Sequence, residues 1–275
     1  MKSIMLFLLL VANSCFFAQK SDSLVWEKQM EYQVDESATW TADIFGNVYI
    51  TKGRVLQKFD SLGVLKFSQS IKSVGNIKEI MPVNTMKLVL FSEEQQVLCL
   101  MDNTLTMSEN YIELSDYKVG MASLVAVSSQ PDKIWVLDQL NSTLLLLDLS
   151  GKMQYQEVRN LKGVLNLADI TSLHESDGHL YLMSNQTMYE FDIYGSLLNQ
   201  LTFQYNSIRT IAAMPFYRKI LWFTEEAMIV QDVDEGKEMV IKLPISGIIS
   251  FMKRGEYFYF KTADKILKYS LKIHE

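Results

Sequence analysis

The chain has 275 residues, 48% of them hydrophobic, 21% charged and 11% aromatic, which is enough apolar material for a packed core and too much for extended disorder. Four prolines and 12 glycines exclude collagen-like and linker-dominated chains, and two cysteines exclude a disulfide framework or a multi-cysteine zinc site. A formal net charge of −6, with no basic patch carrying interleaved aromatics, argues against nucleic acid as a partner.

The N-terminus comes first in the argument because it sets the compartment. Residues 1–18 read MKSIMLFLLLVANSCFFA. Lys2 supplies a positive start, and Ile4 to Ala12 form an unbroken apolar run. That run is too short to cross a bilayer as a helix, so it reads as an export signal, with 19–275 as one mature domain. Nothing later in the chain has the length and apolarity of a membrane span, so none is expected in the mature protein. Two cleavage points compete. A cut after Ala18 leaves Gln19 or Lys20 as the start. Alternatively, Ala12-Asn13-Ser14-Cys15 resembles a weak bacterial lipobox that would lipidate Cys15, although the usual Leu is missing and Phe16-Phe17 make a poor linker. The Phe-Phe-Ala-Gln tail resembles the signal ends of secreted Bacteroidetes-type proteins. The mature chain is then expected in the periplasm, at the outer membrane or outside the cell. Cys99, in the apolar run Val97-Leu98-Cys99-Leu100, reads as a buried inert thiol.

Beyond the signal the dominant period is two, and no amphipathic helix stands out. One piece recurs: a strand that ends in Asp and is followed by a turn. It ends at Asp60, Asp102, Asp148, Asp192 and Asp232, and a sixth copy carries Ser270, so the steps are 42, 46, 44, 40 and 38 residues. The turns Asp60-Ser-Leu-Gly63, Asp148-Leu-Ser-Gly151 and Asp192-Ile-Tyr-Gly195 share the form D-x-x-G. Asp in first place can accept backbone N–H groups, and Gly in fourth place can take a positive φ. A second marker lies upstream, a strand opening at Val48-Tyr49, Leu88-Val89, Ile134-Trp135, Leu180-Tyr181, Ile220-Leu221 and Tyr257-Phe258. Both markers count six units. The third unit parses into four strands, Ala122–Val127, Lys133–Leu137, Thr143–Leu149 and Lys152–Val158.

Four strands in about 40–45 residues is the period of a β-propeller blade. The expected fold is therefore all-β: a six-bladed propeller with four antiparallel strands per blade. The sixth unit supplies only three strands, Gly247–Lys253, Tyr257–Lys261 and Lys265–Leu271, while Val25–Val34 is left over at the mature N-terminus. The expectation is that this segment completes the last blade and clasps the ring shut. With Asp43-Ile-Phe-Gly-Asn-Val-Tyr49, Ser176-Asp-Gly-His-Leu-Tyr181 and the D-x-x-G turns, the chain resembles the six-bladed propeller superfamily of the NHL and YVTN-repeat sort. These motifs are structural punctuation, so the resemblance implies fold and not activity.

Propellers that bind or catalyse usually do so where the loops between second and third strands converge with those between blades. Here the former loops carry Glu93, Glu94, Asp138, Asn141, Asn185, Glu225, Glu226 and Asp264, an acid- and amide-rich rim. It reads either as a site for a cation, a basic peptide or a glycan, or as a solvated ring of hairpin tips, with the second favoured. His174-Glu175-Ser176-Asp177-Gly178-His179 holds two His and two acids but sits where a hairpin turns, so no metal is assigned to it. Pro215-Phe216-Tyr217-Arg218 reads as an aromatic hairpin tip on the opposite face, with Phe216 and Tyr217 as candidate partner contacts. Trp135 and Trp222 read as packing between blades, and Trp26 and Trp40 flank the clasp. No nucleophile elbow, Walker loop, H-E-x-x-H or dinucleotide fingerprint occurs, and no cofactor or catalytic set is assigned. The sequence thus favours a non-catalytic module that binds another envelope protein, for example as a subunit of an envelope assembly. Its alternatives are a small-ligand or glycan binder, or a divergent metal-dependent lactonase-like hydrolase, at the acidic rim.

Overall fold

The computed structural model describes residues 23–150, 154–176, 178–184, 186–202, 212–216, 219–232 and 234–274. Within them are 24 strands in six four-stranded antiparallel sheets, the expected six-bladed propeller. The leading strand is β1 (Ser23–Gln33). Blade 1 contains β2 (Trp40–Ala42), β3 (Val48–Lys52), β4 (Val55–Phe59) and β5 (Leu65–Ser70). Blade 2 contains β6 (Glu79–Pro82), β7 (Lys87–Ser92), β8 (Val97–Asp102) and β9 (Met107–Glu113). Blade 3 contains β10 (Ala122–Val127), β11 (Lys133–Asp138), β12 (Thr143–Asp148) and β13 (Gln154–Val158). Blade 4 contains β14 (Ser172–Ser176), β15 (His179–Met183), β16 (Thr187–Asp192) and β17 (Leu197–Thr202). Blade 5 contains β18 (Ala212–Phe216), β19 (Lys219–Phe223), β20 (Ala227–Asp232) and β21 (Glu238–Lys242). Blade 6 contains β22 (Ser250–Arg254), β23 (Tyr257–Lys261) and β24 (Lys265–His274), and β1 is its fourth strand.

The clasp is a long antiparallel ladder running from Ser23↔His274 to Gln33↔Lys265. Two tryptophans tie it to its neighbours. Trp26 donates its indole N–H to the Lys242 carbonyl of blade 5 at 2.7 Å and stacks edge-on against Phe258 at 5.1 Å. Trp40 donates to Ser250 Oγ across the seam at 2.9 Å. Closing the ring this way leaves no inner blade face without a partner.

Hydrophobicity falls outward along each blade. Second strands such as Ile134-Trp135-Val136-Leu137 are buried on both faces, whereas the outermost β5, Leu-Lys-Phe-Ser-Gln-Ser, is largely exposed. The buried side chains form six clusters, each drawn from two adjacent blades. The core of the molecule is therefore its blade interfaces, each about the thickness of two packed sheets.

The turn chemistry acts as expected. Asp60 Oδ1 accepts from Leu62 and Val64 N–H, Asp192 from Tyr194 and Ser196, and Asp43 from Phe45 and Asn47. Gly63 sits at φ +78° and Gly195 at +92°. In blade 2 the same place is taken by Leu105, at φ 65°, which buries its side chain while Asp102 caps Thr104 and Thr106. One marker needs correction. Ser270 pairs with Tyr257 and Lys268 with Tyr259, so the true equivalent of Val48-Tyr49 in blade 6 is Phe258-Tyr259, one residue beyond Tyr257-Phe258. A run of four aromatics hides that shift in the sequence.

Candidate functional site

By strand order, the first hairpins of all six blades and the third hairpins of blades 1 to 5 lie on one face of the ring. The second hairpins and the connections between blades lie on the other, which we call the connection face. The described rim residues fall there, each with its own local surroundings.

Glu93 Oε1 accepts from Lys78 Nζ at 2.6 Å, and Lys78 also donates to the Ser123 carbonyl at 2.7 Å. Glu94 accepts from Asn76 Nδ2 at 3.1 Å. Asp264 accepts from Thr262 Oγ1 at 2.9 Å, within its own turn. Asn185 and Tyr217 lie outside the described residues, as does Cys15; Phe216 ends β18 at the first hairpin of blade 5, its backbone alone being described.

Asp138 is not a rim acid at all. It is 0% exposed, and its two oxygens take N–H bonds from Gly120 at 2.7 Å, Met121 at 3.1 Å and Asn141 at 3.2 Å, together with the Asn141 amide at 2.7 Å. Burial alone would raise its pKa, but these donors outweigh burial and hold it below the ordinary aspartate value. Asp138 and Asn141 thus splice the connection between blades 2 and 3 to the second hairpin of blade 3. Asp138→Ala is expected to cost about 3 kcal/mol of unfolding free energy by stranding these donors. In the wild type that stabilisation is present at neutral pH and is lost as pH falls through the depressed pKa. Urea unfolding of both proteins between pH 3 and pH 7 checks this: the gap should close toward low pH, and a pH-independent gap would contradict it.

Glu225 and Glu226 differ from the other acids. Both are exposed, with no carboxylate partner among the described residues, and they stand at the edge of a groove of about 860 Å³. Its floor is Leu243, Pro244 and Ile245 in the connection from blade 5 to blade 6; Val240 and Lys242 of β21 form its wall. Thr224 Oγ1 fixes the turn by accepting from Glu226 and Ala227 N–H. Two further grooves, one by Thr39, Arg54 and Asn76 and the other by Gln139, Lys162 and Tyr189, also open on the connection face.

The histidine-rich stretch disperses. His179 Nδ1 lies 2.7 Å from buried Glu190, whereas Glu175 accepts from Ser129 and from the Trp135 indole of blade 3. Asp177 lies outside the described residues. Among the described residues no three His, Cys, Asp or Glu side chains group closely enough to hold a metal ion. The Cys99 thiol is buried, which raises its pKa to about 11.

The first strands, nearest the axis, carry three ionisable groups, Glu79, His174 and Arg254, of which the sequence pattern points only to His174 and only for its histidine-rich turn. Burial pushes Glu79 up to about 7, against the pull of Lys78. His174 is pressed down to about 4 by burial and by the positive charge of Arg254. Arg254 donates Nε–H to the Ala42 carbonyl of blade 1 at 3.2 Å. Strand register explains the omission: the three occupy different rungs of blades 2, 4 and 6, so no fixed spacing links them.

No family model and no curated protein matches the chain. Solved structures do, at low identity. Virginiamycin B lyase from Staphylococcus aureus is 12% identical, with a TM-score of 0.58 over 85% of this chain and 80% of the lyase. BamB from Moraxella catarrhalis is 8% identical, with a TM-score of 0.54 over 90% of this chain and 100% of BamB. The Neurospora crassa Pan2 WD40 domain is 11% identical, with a TM-score of 0.60 over 89% of this chain and 95% of the domain. One of these neighbours is named as an enzyme and the others are not, so the likeness is one of fold alone. No helix among the described residues is long and apolar enough to cross a membrane.

Proposed function

We propose that the chain is a non-catalytic interaction module of the bacterial cell envelope, acting after export, and that it receives a partner protein on the connection face. The observation that carries this reading is the groove of blade 5. It joins an apolar floor of Leu243, Pro244 and Ile245 to two carboxylates that are not committed to the fold. That pairing suits a segment bearing apolar side chains beside Lys or Arg, with the rigid closed ring holding the groove in shape before binding. The other rim acids are spent on Lys78, Asn76, Thr262 and the backbone around Gly120, so the binding chemistry narrows from the whole rim to one place. The apolar run after Lys2, read from the sequence as an export signal over residues 1–18, supports the compartment.

The test is capture from envelope extracts with the mature protein. Glu225→Lys with Glu226→Lys should weaken recovery of the wild type's specific partner about tenfold or more, and added salt should weaken the wild type as well. Glu93→Lys with Glu94→Lys should have a smaller effect. Equal recovery by the Glu225/Glu226 variant and the wild type would refute the groove as the binding site.

A further inference from the structure

The seam between blade 6 and blade 1 carries buried hydrogen-bond donors that its packing does not use. Tyr259 and Lys268 are cross-strand partners on the face of blade 6 that meets blade 1, and Tyr32 of β1 joins the same buried cluster. Their exposures are 0%, 4% and 5%. The hydroxyls of Tyr259 and Tyr32 have no hydrogen-bond partner among the described residues. The Lys268 ammonium has no acceptor among them either; it lies over the Tyr257 ring at 3.9 Å.

Lys268 and Tyr259 meet at Gly46, and Tyr32 is coupled electrostatically to Tyr259. The point where a Cβ on Gly46 would sit is 3.3 Å from Lys268 Nζ and 3.8 Å from the Tyr259 oxygen. Gly46, at φ +82°, puts no side chain of its own there, and Ser61 Cβ borders the point at 3.3 Å. Arg254 stands on the same face of blade 6 and spends Nε and Nη1 on the carbonyls of Ala42 and Lys253. The carboxylate on the blade 1 side, Asp43, is already saturated by Phe45 N–H, Asn47 N–H, the Asn47 amide and the Tyr49 hydroxyl. Asp60, on the Tyr32 side, is capped by Leu62 and Val64 N–H and has Lys66 at 3.9 Å. Asp43 and Asp60 are thus both engaged, the carboxylate whose charge acts on Lys268 is the exposed Glu256, and the spare buried polar atoms are donors. Buried polar groups in folded proteins find partners, and an ammonium this deep needs an acceptor.

We propose that the closure seam binds one small monovalent anion of halide size, held by Lys268 Nζ and the Tyr259 and Tyr32 hydroxyls, with Arg254 adding charge at longer range. The site is independent of the groove of blade 5. The anion locks the blade on which the ring closes, so ring stability is tied to halide concentration.

Thermal unfolding of the full mature protein in sodium chloride and in sodium gluconate of matched ionic strength tests this. Chloride should raise Tm by roughly 3–6 °C for each tenfold increase once the site fills, and gluconate should not. Tyr259→Phe, which keeps the ring and removes one donor, should flatten the chloride response, and Lys268→Met should abolish it. Because Lys268→Met can also fail to fold, crystals of the wild type grown in bromide provide the second measurement, with an anomalous peak expected within about 3.5 Å of Lys268 Nζ. Identical Tm in the two salts, or a water in place of the bromide peak, would overturn the proposal.

Discussion

A chain beginning at Val34, and so lacking β1, will lose the cooperative unfolding transition of the 19–275 chain. The reason lies in what β1 covers. It is the fourth strand of blade 6 and pairs with β24 along its whole length, a longer ladder than any other outer strand makes. Without it the edge of β24 opens to solvent, and Trp26 no longer covers Phe258, Phe260 and Tyr269. Tyr32 also leaves the cluster it shares with Ala42, Val48 and Ile50 of blade 1. The loss thus reaches both neighbours of blade 6. A milder variant separates packing from strand pairing. Trp26→Ala keeps the ladder and should cost about 3–5 kcal/mol, including the bond to the Lys242 carbonyl. Denaturant titration followed by far-UV circular dichroism measures both, and a synthetic 23–34 peptide should restore part of the transition. A truncated chain that unfolds at the wild-type midpoint would show that the ring does not depend on its clasp.

The clasp was legible because closure is a counting argument. Five complete units and one three-stranded unit leave a single strand over, and Val25–Val34 differs from the observed Ser23–Gln33 only at its ends. The hairpins were legible because Asp and Gly at fixed offsets have a local cause that needs no tertiary context. The rim was legible only as a place. The sequence puts Glu93, Asp138 and Glu225 in equivalent loops, but their fates differ through contacts made far along the chain. Glu93 finds Lys78, Asp138 turns inward to Gly120, and Glu225 has neither. The seam was illegible for a similar reason. Lys268 looks like an ordinary outward lysine in an alternating strand, and only the docking of blade 1 buries it. Lys58, at the matching place in blade 1, is also buried but reaches the Asn103 carbonyl of blade 2 at 2.8 Å, so the pattern alone does not say which lysine lacks an acceptor.

Trp135→Ala will lower the unfolding free energy by about 3–5 kcal/mol, the largest effect expected from a single substitution away from the clasp. Trp135 is 0% exposed, and it packs with Leu137, Leu146, Leu173 and Leu182 in the cluster shared by blades 3 and 4. Its indole N–H donates to Glu175 on the innermost strand of blade 4, and Glu175 also takes the Ser129 N–H at 3.0 Å. The side chain thus joins the two blades by area and by one charge-assisted bond. Trp135→Phe keeps most of the area and removes the donor, so it should cost about 1–2 kcal/mol. Glu175→Ala should cost about 1–3 kcal/mol, because it strands the buried indole N–H, while the exposed Ser129 amide turns to water. The two smaller variants combined should cost less than the sum of their separate effects, since each removes the same bond. Guanidinium titrations with an unchanged m value measure all four proteins. If Trp135→Ala cost under about 1 kcal/mol, the interface between blades 3 and 4 would not be the cohesive unit of this ring, and the account of its core as a set of blade junctions would fail with it.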